Sequence, residues 1–455
     1  MATLLKTPAG WPRPMLGKAA PADPTDLDAA VRAGAFDGFK KGVRTLAAAG
    51  IVAEIRTAGL RGRGGAGFPT ADKWQAAAAT QADRRYVVAN GYGADPAVRT
   101  DAQLIELNPY AVIEGVAIAA WAIGATSAFI AVRTTETEAI KRLEAAIGAA
   151  EEAGFIGQDV LDTGRELTIE VRPVQGAYML GEETVLLKAL EGKRGQPEQR
   201  PPYPAERGLF GRPTVVQNIQ TLVLAAWILR EGAAAFRAIG SPDAPGTILV
   251  HVRGATGAGI AEVPLGTPLR AILELVGSAI PGDARSGGKS ESKAQRAPKA
   301  LLVGGPSGGI LPLDLLDTPY TFADLRTAGA HVGSGSIVAT GADADVLELA
   351  ELLTRFCAGE ACGKTIPCRI GTRRLEEIAT RINAGTPRPT DADLLADLSA
   401  DIVASALCDH ERLATLPMTS VMRYFRPELD AKLQPVAEQT AGRQRVAVAD
   451  GDPAH

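Results

Sequence analysis

A chain of 455 residues, 46% hydrophobic and 22% charged, has enough apolar material for roughly two to four buried cores. Its formal net charge of −4 gives no electrostatic case for nucleic acid or an anionic membrane surface, and the N-terminus meets Pro8 before any apolar run forms, which argues against a secretory leader. The four cysteines all fall between Cys357 and Cys408, a clustering that suits a metal or iron–sulfur site better than a disulfide framework.

Residues 1–35 scatter Pro8, Pro12, Pro14, Pro21 and Pro24 among alanines and read as an irregular arm lying on the surface or on a partner. From 36 to 240, short apolar runs alternate with helical patterns. Strands are expected at Tyr86–Ala89, Phe129–Val132 and Thr168–Val171, with helices over about 101–123, 135–152 and 179–191. That alternation predicts a sheet layered by helices. The most apolar window, Val112 to Val132, carries Glu114 and reads as a buried helix to about Ile123 followed by a strand, not as a membrane span. Residues 245–325 change character: strands at Thr247–Val252 and Ala300–Val303 bracket a short helix at Leu269–Val276, a small α+β module of ubiquitin-like size, with Arg285–Lys299 as a flexible insertion. Over 340–435, Val346–Glu360, Ile370–Asn383 and Asp391–Ser405 space their apolar residues as a helical bundle does. The stretch 436–455 lacks periodicity and is expected to be a disordered tail.

The stretch around which these parts are organised is Gly59–Trp74, GLRGRGGAGFPTADKW. It holds five glycines and two arginines in sixteen residues. Glycine lets backbone N–H groups approach a ligand, and arginine is the forked donor that matches phosphate, so the segment reads as a phosphate cradle. Gly62, Gly64 and Gly67 satisfy G-x-G-x-x-G, but a helical pattern precedes them and Pro69 follows, unlike an ordinary dinucleotide turn. The plain alternative is a flexible glycine loop. Asn90 ends a strand, Glu182 and Glu183 open a helical run, and Asn218 stands at the start of another. Alone, such residues are more often helix caps than ligand contacts; their company with the glycine loop points to a site.

Cys362 and Cys368 share one turn, Glu360–Arg369, and Cys408 follows at a distance. Thiolates converging from a turn and a distant helix end are how a bundle can hold an iron–sulfur cluster. Three readings stay open: a [4Fe–4S] cluster with a fourth ligand other than cysteine, a [3Fe–4S] cluster, or buried thiols without a cluster.

GLRGRGGAGFPT with Lys73-Trp74, GEET followed six residues later by Glu191-Gly192, PPYPA at 201–205 and the Pro306–Gly309 turn together resemble the FMN-bearing, NADH-oxidising subunit of respiratory complex I. The same family includes diaphorase subunits of NAD-dependent formate dehydrogenases and NAD-reducing hydrogenases. The likeness runs over about 36–432. It implies an α/β Rossmann-like flavin domain, a ubiquitin-like (β-grasp) module and a C-terminal helical iron–sulfur domain. By resemblance, Gly62, Gly64, Gly65 and Gly67 with Arg63 hold the FMN phosphate and ribityl chain, and Lys73, Asn90 and Asn218 hydrogen-bond the flavin. Phe68 lies under the incoming dinucleotide, and Glu182 and Glu183 line the same cavity. The family turn C-x-x-C-x-x-C, with a distant fourth cysteine, binds [4Fe–4S]; here Cys362, Cys368 and Cys408 remain, Thr365 stands at the missing place, and Cys357 is a candidate substitute. The family's N-A-D-E-x-E-P-G reads Asn90–Ala97 with Tyr92, Gly93 and Asp95 in place of acids, so that a tyrosine can occupy the pocket that Asp95 would line. The later V-N-N-x-E-T reads Val216–Thr221 and loses another acid at Gln220. The implied function is NADH oxidation at FMN with electrons leaving through the cluster; the alternatives are a flavin conduit that no longer binds NAD(H), or a non-catalytic scaffold. No [2Fe–2S] cysteine set is present, so the resemblance implies a thioredoxin-like [2Fe–2S] partner subunit. It also implies a cytoplasmic place, peripheral to a membrane complex, with no direct membrane insertion.

Overall fold

The structure, a computed structural model, describes residues 2–17, 23–254, 257–278 and 297–434. The insertion expected from Arg285 lies outside them up to residue 296, as does the tail from 436. The chain is a mixed α/β fold with a parallel sheet and a C-terminal set of helices. Four strands, β1 (Tyr86–Gly91), β2 (Ser127–Arg133), β3 (Thr168–Val174) and β4 (Thr214–Asn218), form a sheet in the order β3-β2-β1-β4, parallel throughout. The first three extend the expected strands by a few residues. β4 was hidden in sequence because Thr-Val-Val-Gln-Asn runs straight into a helix.

The chain leaves β1 toward β2 on one side and returns to β4 on the other. The crevice between β1 and β4 is therefore the place where strand order reverses, and open α/β sheets bind ligands at the carboxyl ends of such strands. Asn90 and Asn218 face each other there in register.

Against this sheet packs the helix Pro109–Ile123, almost wholly buried, crossing the helix Ile219–Glu231. The crossing needs Gly115: a Cβ there would stand 2.3 Å from the Leu222 carbonyl oxygen. The single helix expected over 101–123 is two, Thr100–Leu107 and Pro109–Ile123, bent by 100°. Pro109 has no N–H to continue the first helix, and the Asn108 side chain accepts from Ala111 N to start the second. No single helix among the described residues is long and apolar enough to cross a membrane; this bent pair passes by length and composition, and its members are core elements.

A second sheet has five strands, in spatial order Gly309–Pro312, Ala300–Val303, Ser336–Ala339, Thr247–Arg253 and Ala258–Pro264. It reaches past residue 325, where the sequence pattern changed, because Ser336–Ala339 inserts between Ala300–Val303 and Thr247–Arg253. The arm does not hang free. Leu4 pairs with Ile260, Leu27–Arg32 is helical, and the amides of Met15 and Leu16 donate to the fully buried carboxylate of Glu262 at 3.0 and 2.9 Å. The C-terminal helices Val346–Glu360, Thr372–Asn383, Asp391–Ser405 and Leu416–Tyr424 enclose a third core.

Candidate functional site

The glycine loop lies over the carboxyl end of β4. A Cβ on Gly64 would meet Asn218 Cβ at 3.4 Å, and one on Gly62 would meet the Gln217 side-chain amide at 3.5 Å. Gly62 N donates to Phe68 O at 2.8 Å and Thr70 N to Leu60 O at 2.9 Å, which pinches the loop into a closed bend. Gly65 and Gly67 sit at φ 115° and 67°, and a Cβ on Gly67 would strike the Phe322 ring at 2.7 Å. Between the pinch points, the amides of Gly64, Gly65, Ala66 and Gly67 donate to no acceptor among the described residues. Successive free amides on a glycine bend form an anion-binding concavity.

Arg63 is placed differently from the expectation. Its side chain is 1% exposed and donates to Thr247 O, Arg61 O and Pro245 O at 2.8, 2.6 and 2.7 Å. Its amide donates to Thr221 Oγ1 at 2.8 Å. The guanidinium thus bolts the loop to the second sheet instead of reaching into the crevice. Burial, then the charge of Arg61, pulls its pKa down to about 9. A buried cation held only by neutral carbonyls, beneath a bend of free amides, suits a phosphate anion above it.

Lys73, from the helix Thr70–Ala79, donates to Glu183 Oε2 at 2.8 Å and to Val216 O at 3.1 Å. Burial would raise the Glu183 carboxyl, but Lys73 and Arg200 outweigh it and hold it below the ordinary carboxylate value. Glu182 is the N-cap of the helix Glu183–Leu190, accepting from Thr184 N and Val185 N, and pairs with Arg200. Asn90 Nδ2 donates to Gly181 O at 3.1 Å. Asn218 Nδ2 donates to Asp101 Oδ2 at 2.8 Å, its Oδ1 caps Gln220 N at 2.9 Å, and Gln220 binds Asp101 Oδ1 and Leu249 N. The acid missing at 220 is thus replaced by an amide that ties the two sheets together.

Phe68, 54% exposed, stands beside the loop with its ring open. Tyr92 does not fill the crevice as expected: it is 1% exposed, its hydroxyl donates to Gly176 O, and Arg133 lies over its ring. Asp95 is buried, accepting from Ser334 Oγ at 2.7 Å and Ala97 N at 2.9 Å; burial pushes its carboxyl up. One residue not singled out in sequence belongs to the site. Gln217, whose amide nitrogen lies against Gly62, buries its Oε1 with no hydrogen-bond partner among the described residues, at the end of a strand whose neighbouring amides Asn90 and Asn218 are engaged. Its place at a strand terminus was the available signal.

Beside the N-terminal end of the helix Glu183–Leu190, where Tyr178 N donates to Glu360 Oε2 at 2.7 Å and the Tyr178 ring meets His410, the cysteine turn packs on the flank of the first sheet. Burial pushes the Cys368 thiol up to about 11 and the Cys408 thiol to about 12, and each feels neighbouring cysteines: Cys368 feels Cys362, and Cys408 feels both. Among the described residues no three His, Cys, Asp or Glu side chains close on a single metal ion. Three neighbouring thiols on a turn and at a helix start are instead the donor chemistry of an iron–sulfur cluster. Cys357 is not among them: it lies inside the unbroken helix Val346–Glu360, with its thiol toward Pro306 O at 3.6 Å.

Residues 55–226 match the Nuo51 FMN-binding domain, and residues 348–432 match the NADH-ubiquinone oxidoreductase-F iron-sulfur binding region. The chain is 37% identical over 410 residues to the NADP-reducing hydrogenase subunit HndC of Solidesulfovibrio fructosivorans, covering 90% of this chain and 81% of that one. It is 36% identical over 405 residues to an NADH-quinone oxidoreductase subunit of Streptomyces coelicolor, covering 89% and 87%. A chain of an NAD+-reducing [NiFe]-hydrogenase crystal structure superposes with a TM-score of 0.75 at 32% identity, over 89% of this chain and 68% of that one. With free loop amides over a strand-order switch and three cysteines beside it, the chain belongs to the family of FMN-binding, iron–sulfur subunits found in NADH-quinone oxidoreductases and in pyridine-nucleotide-reducing hydrogenases.

Proposed function

We propose that this chain is the electron-input subunit of a multisubunit oxidoreductase, exchanging a hydride between NAD(H) and FMN and passing single electrons to iron–sulfur centres. The observation that carries the reading is the run of free amides at Gly64–Gly67 held over the Asn90–Asn218 crevice. FMN, when bound, supplies the chemistry, accepting two electrons as a hydride and releasing them one at a time.

The protein's part is positional. The amides of Gly64–Gly67 take the phosphate, with Arg63 fixing the bend from below. Lys73 and the strand-end amides Asn90, Gln217 and Asn218 face the ring system, and the ion pair with Glu183 keeps Lys73 aimed. Phe68 offers an open aromatic face for the planar group of the incoming dinucleotide. The segment that opens the helix carrying Glu183 also reaches the cysteine turn, since Tyr178 N donates to Glu360 Oε2 at 2.7 Å and the Tyr178 ring packs against His410. Cys368 is buried there, and Cys362 and Cys408 are half-buried.

The second sheet with its helices is a ubiquitin-like module in this reading, clamping the loop through Arg63 and the crevice mouth through Asp95–Ser334. The next electron carrier is a thioredoxin-like [2Fe–2S] subunit, in a complex on the cytoplasmic side. The test is an anaerobic absorption spectrum of the purified chain with flavin and iron assays, before and after NADH. Bleaching of bound FMN is expected. Flavin that stays oxidised would leave a conduit without NAD(H) binding, and a folded chain that cannot be loaded with flavin would leave a scaffold.

A further inference from the structure

Where this chain lacks a cysteine of the family turn, at Thr365, the structure supplies a carboxylate. Glu411 is 1% exposed, and its partners are uncharged: Thr365 Oγ1 donates to Oε1 at 2.6 Å and Leu407 N to Oε2 at 2.9 Å. The adjacent Arg412 pairs with Asp409 at 3.2 Å instead. Glu411 sits beside the thiols: Thr365, which donates to its carboxylate, accepts in turn from Cys368 N at 3.2 Å, and the Glu411 amide donates to Cys408. A buried carboxylate beside these thiols, with no cationic partner among the described residues, is costly unless a positive centre sits beside it. Thr365 is poorly placed to be that centre's ligand. Its proton goes to Glu411, and its oxygen accepts from Cys368 N at 3.2 Å, so its hydroxyl is committed in both directions.

We propose that the cluster held by Cys362, Cys368 and Cys408 carries a fourth iron whose protein ligand is the Glu411 carboxylate, with Thr365 holding that carboxylate in place. This rests on the iron–sulfur reading above. Formation of the Fe–O bond is a ligand substitution: the carboxylate lone pair replaces a water or free thiol on iron, and no oxidation state changes. A hard oxygen donor on one corner of a sulfur-ligated cluster makes that iron the labile one.

The experiment is anaerobic reconstitution of the full chain with iron and sulfide, read by iron count and by low-temperature EPR of the oxidised protein. Four irons and no EPR signal are expected for the native chain. Glu411→Gln, which keeps size and an acceptor for Thr365, should bind three irons and show the paramagnetic signal of an oxidised three-iron cluster. Thr365→Val should keep four. The double variant Glu411→Gln with Thr365→Cys should regain four, which separates lost ligation from lost folding. Three irons in the native chain, four in Glu411→Gln, or loss of the fourth iron in Thr365→Val alone would overturn the assignment. No iron in any variant would overturn the cluster reading itself.

Discussion

Lys73 Nζ stands 2.8 Å from Glu183 Oε2, joining the helix that leaves the glycine loop to the helix that starts near the cysteines. Each side chain is about one-fifth exposed, so the pair is neither freely solvated nor fully dry. Removing Lys73 leaves the largely desolvated Glu183 with the more distant Arg200, at 3.3 Å, a weaker pairing that costs about 1 kcal/mol. Lys73→Met should lower stability by that amount, and Lys73→Met with Glu183→Leu should recover much of it, because both charges then leave together. A denaturant double-mutant cycle with a coupling near zero would show that the pair is incidental. Flavin affinity should fall in both variants, since neither presents an ammonium to the crevice.

Glu262 and Glu114 are buried carboxyls whose pKa burial raises to about 7, against the partial opposition of donated hydrogen bonds. The sign follows from proton binding. Between about pH 4.5 and pH 7 the unfolded chain has released these protons while the folded chain keeps them, so stability is fully present below that window and falls as pH rises through it. Each group contributes on the order of 3 kcal/mol to that fall. Thermal unfolding of Glu262→Gln at pH 5 and pH 8 should show a smaller loss across the interval than the native chain does.

Gly115→Ala sets a propensity gain against a clash. Alanine in a helix interior is worth about 1 kcal/mol over glycine. Here the added Cβ would meet Leu222 O at 2.3 Å and Leu222 C at 2.4 Å, backbone atoms of a buried helix that have nowhere to go. Overpacking of this kind costs about 1–3 kcal/mol, so the clash should win, with a net loss of up to about 2 kcal/mol in urea unfolding. A stabilised variant would mean that the two helices slide apart freely.

How far the sequence carried depends on what kind of information each residue holds. Strands such as Val87–Ala89 and helices such as Val346–Glu360 were legible because period and burial agree within one segment. Thr214–Asn218 was not, since a five-residue strand that runs directly into a helix has no punctuation of its own. The glycine loop announced itself by composition, yet the direction of Arg63 depends on carbonyls at 245 and 247, more than 180 residues away. Tyr92 likewise looked like a pocket residue next to Asn90, and only the position of Gly176 and Arg133 turns it into the core. Local pattern identifies which residue types can do chemistry; long-range pairing decides which of them face the crevice.

Arg63 gives the sharpest test of that division. If its guanidinium shapes the bend and the loop amides hold the phosphate, then FMN should bind more tightly than riboflavin, which lacks that group, by tenfold or more, equivalent to about 1.4 kcal/mol. Arg63→Lys keeps a charge but supplies a single point donor where three carbonyls await a fork. Carbonyls beyond the reach of that one nitrogen are left unpaired at about 1–3 kcal/mol each, so the variant should be less stable, and the bend should relax. The expected outcome is loss of the FMN advantage with riboflavin affinity nearly unchanged, measured by fluorescence titration of the flavin-free chain. Equal losses for both flavins would instead place Arg63 in support of the ring site, and an unchanged FMN preference would remove it from phosphate binding altogether.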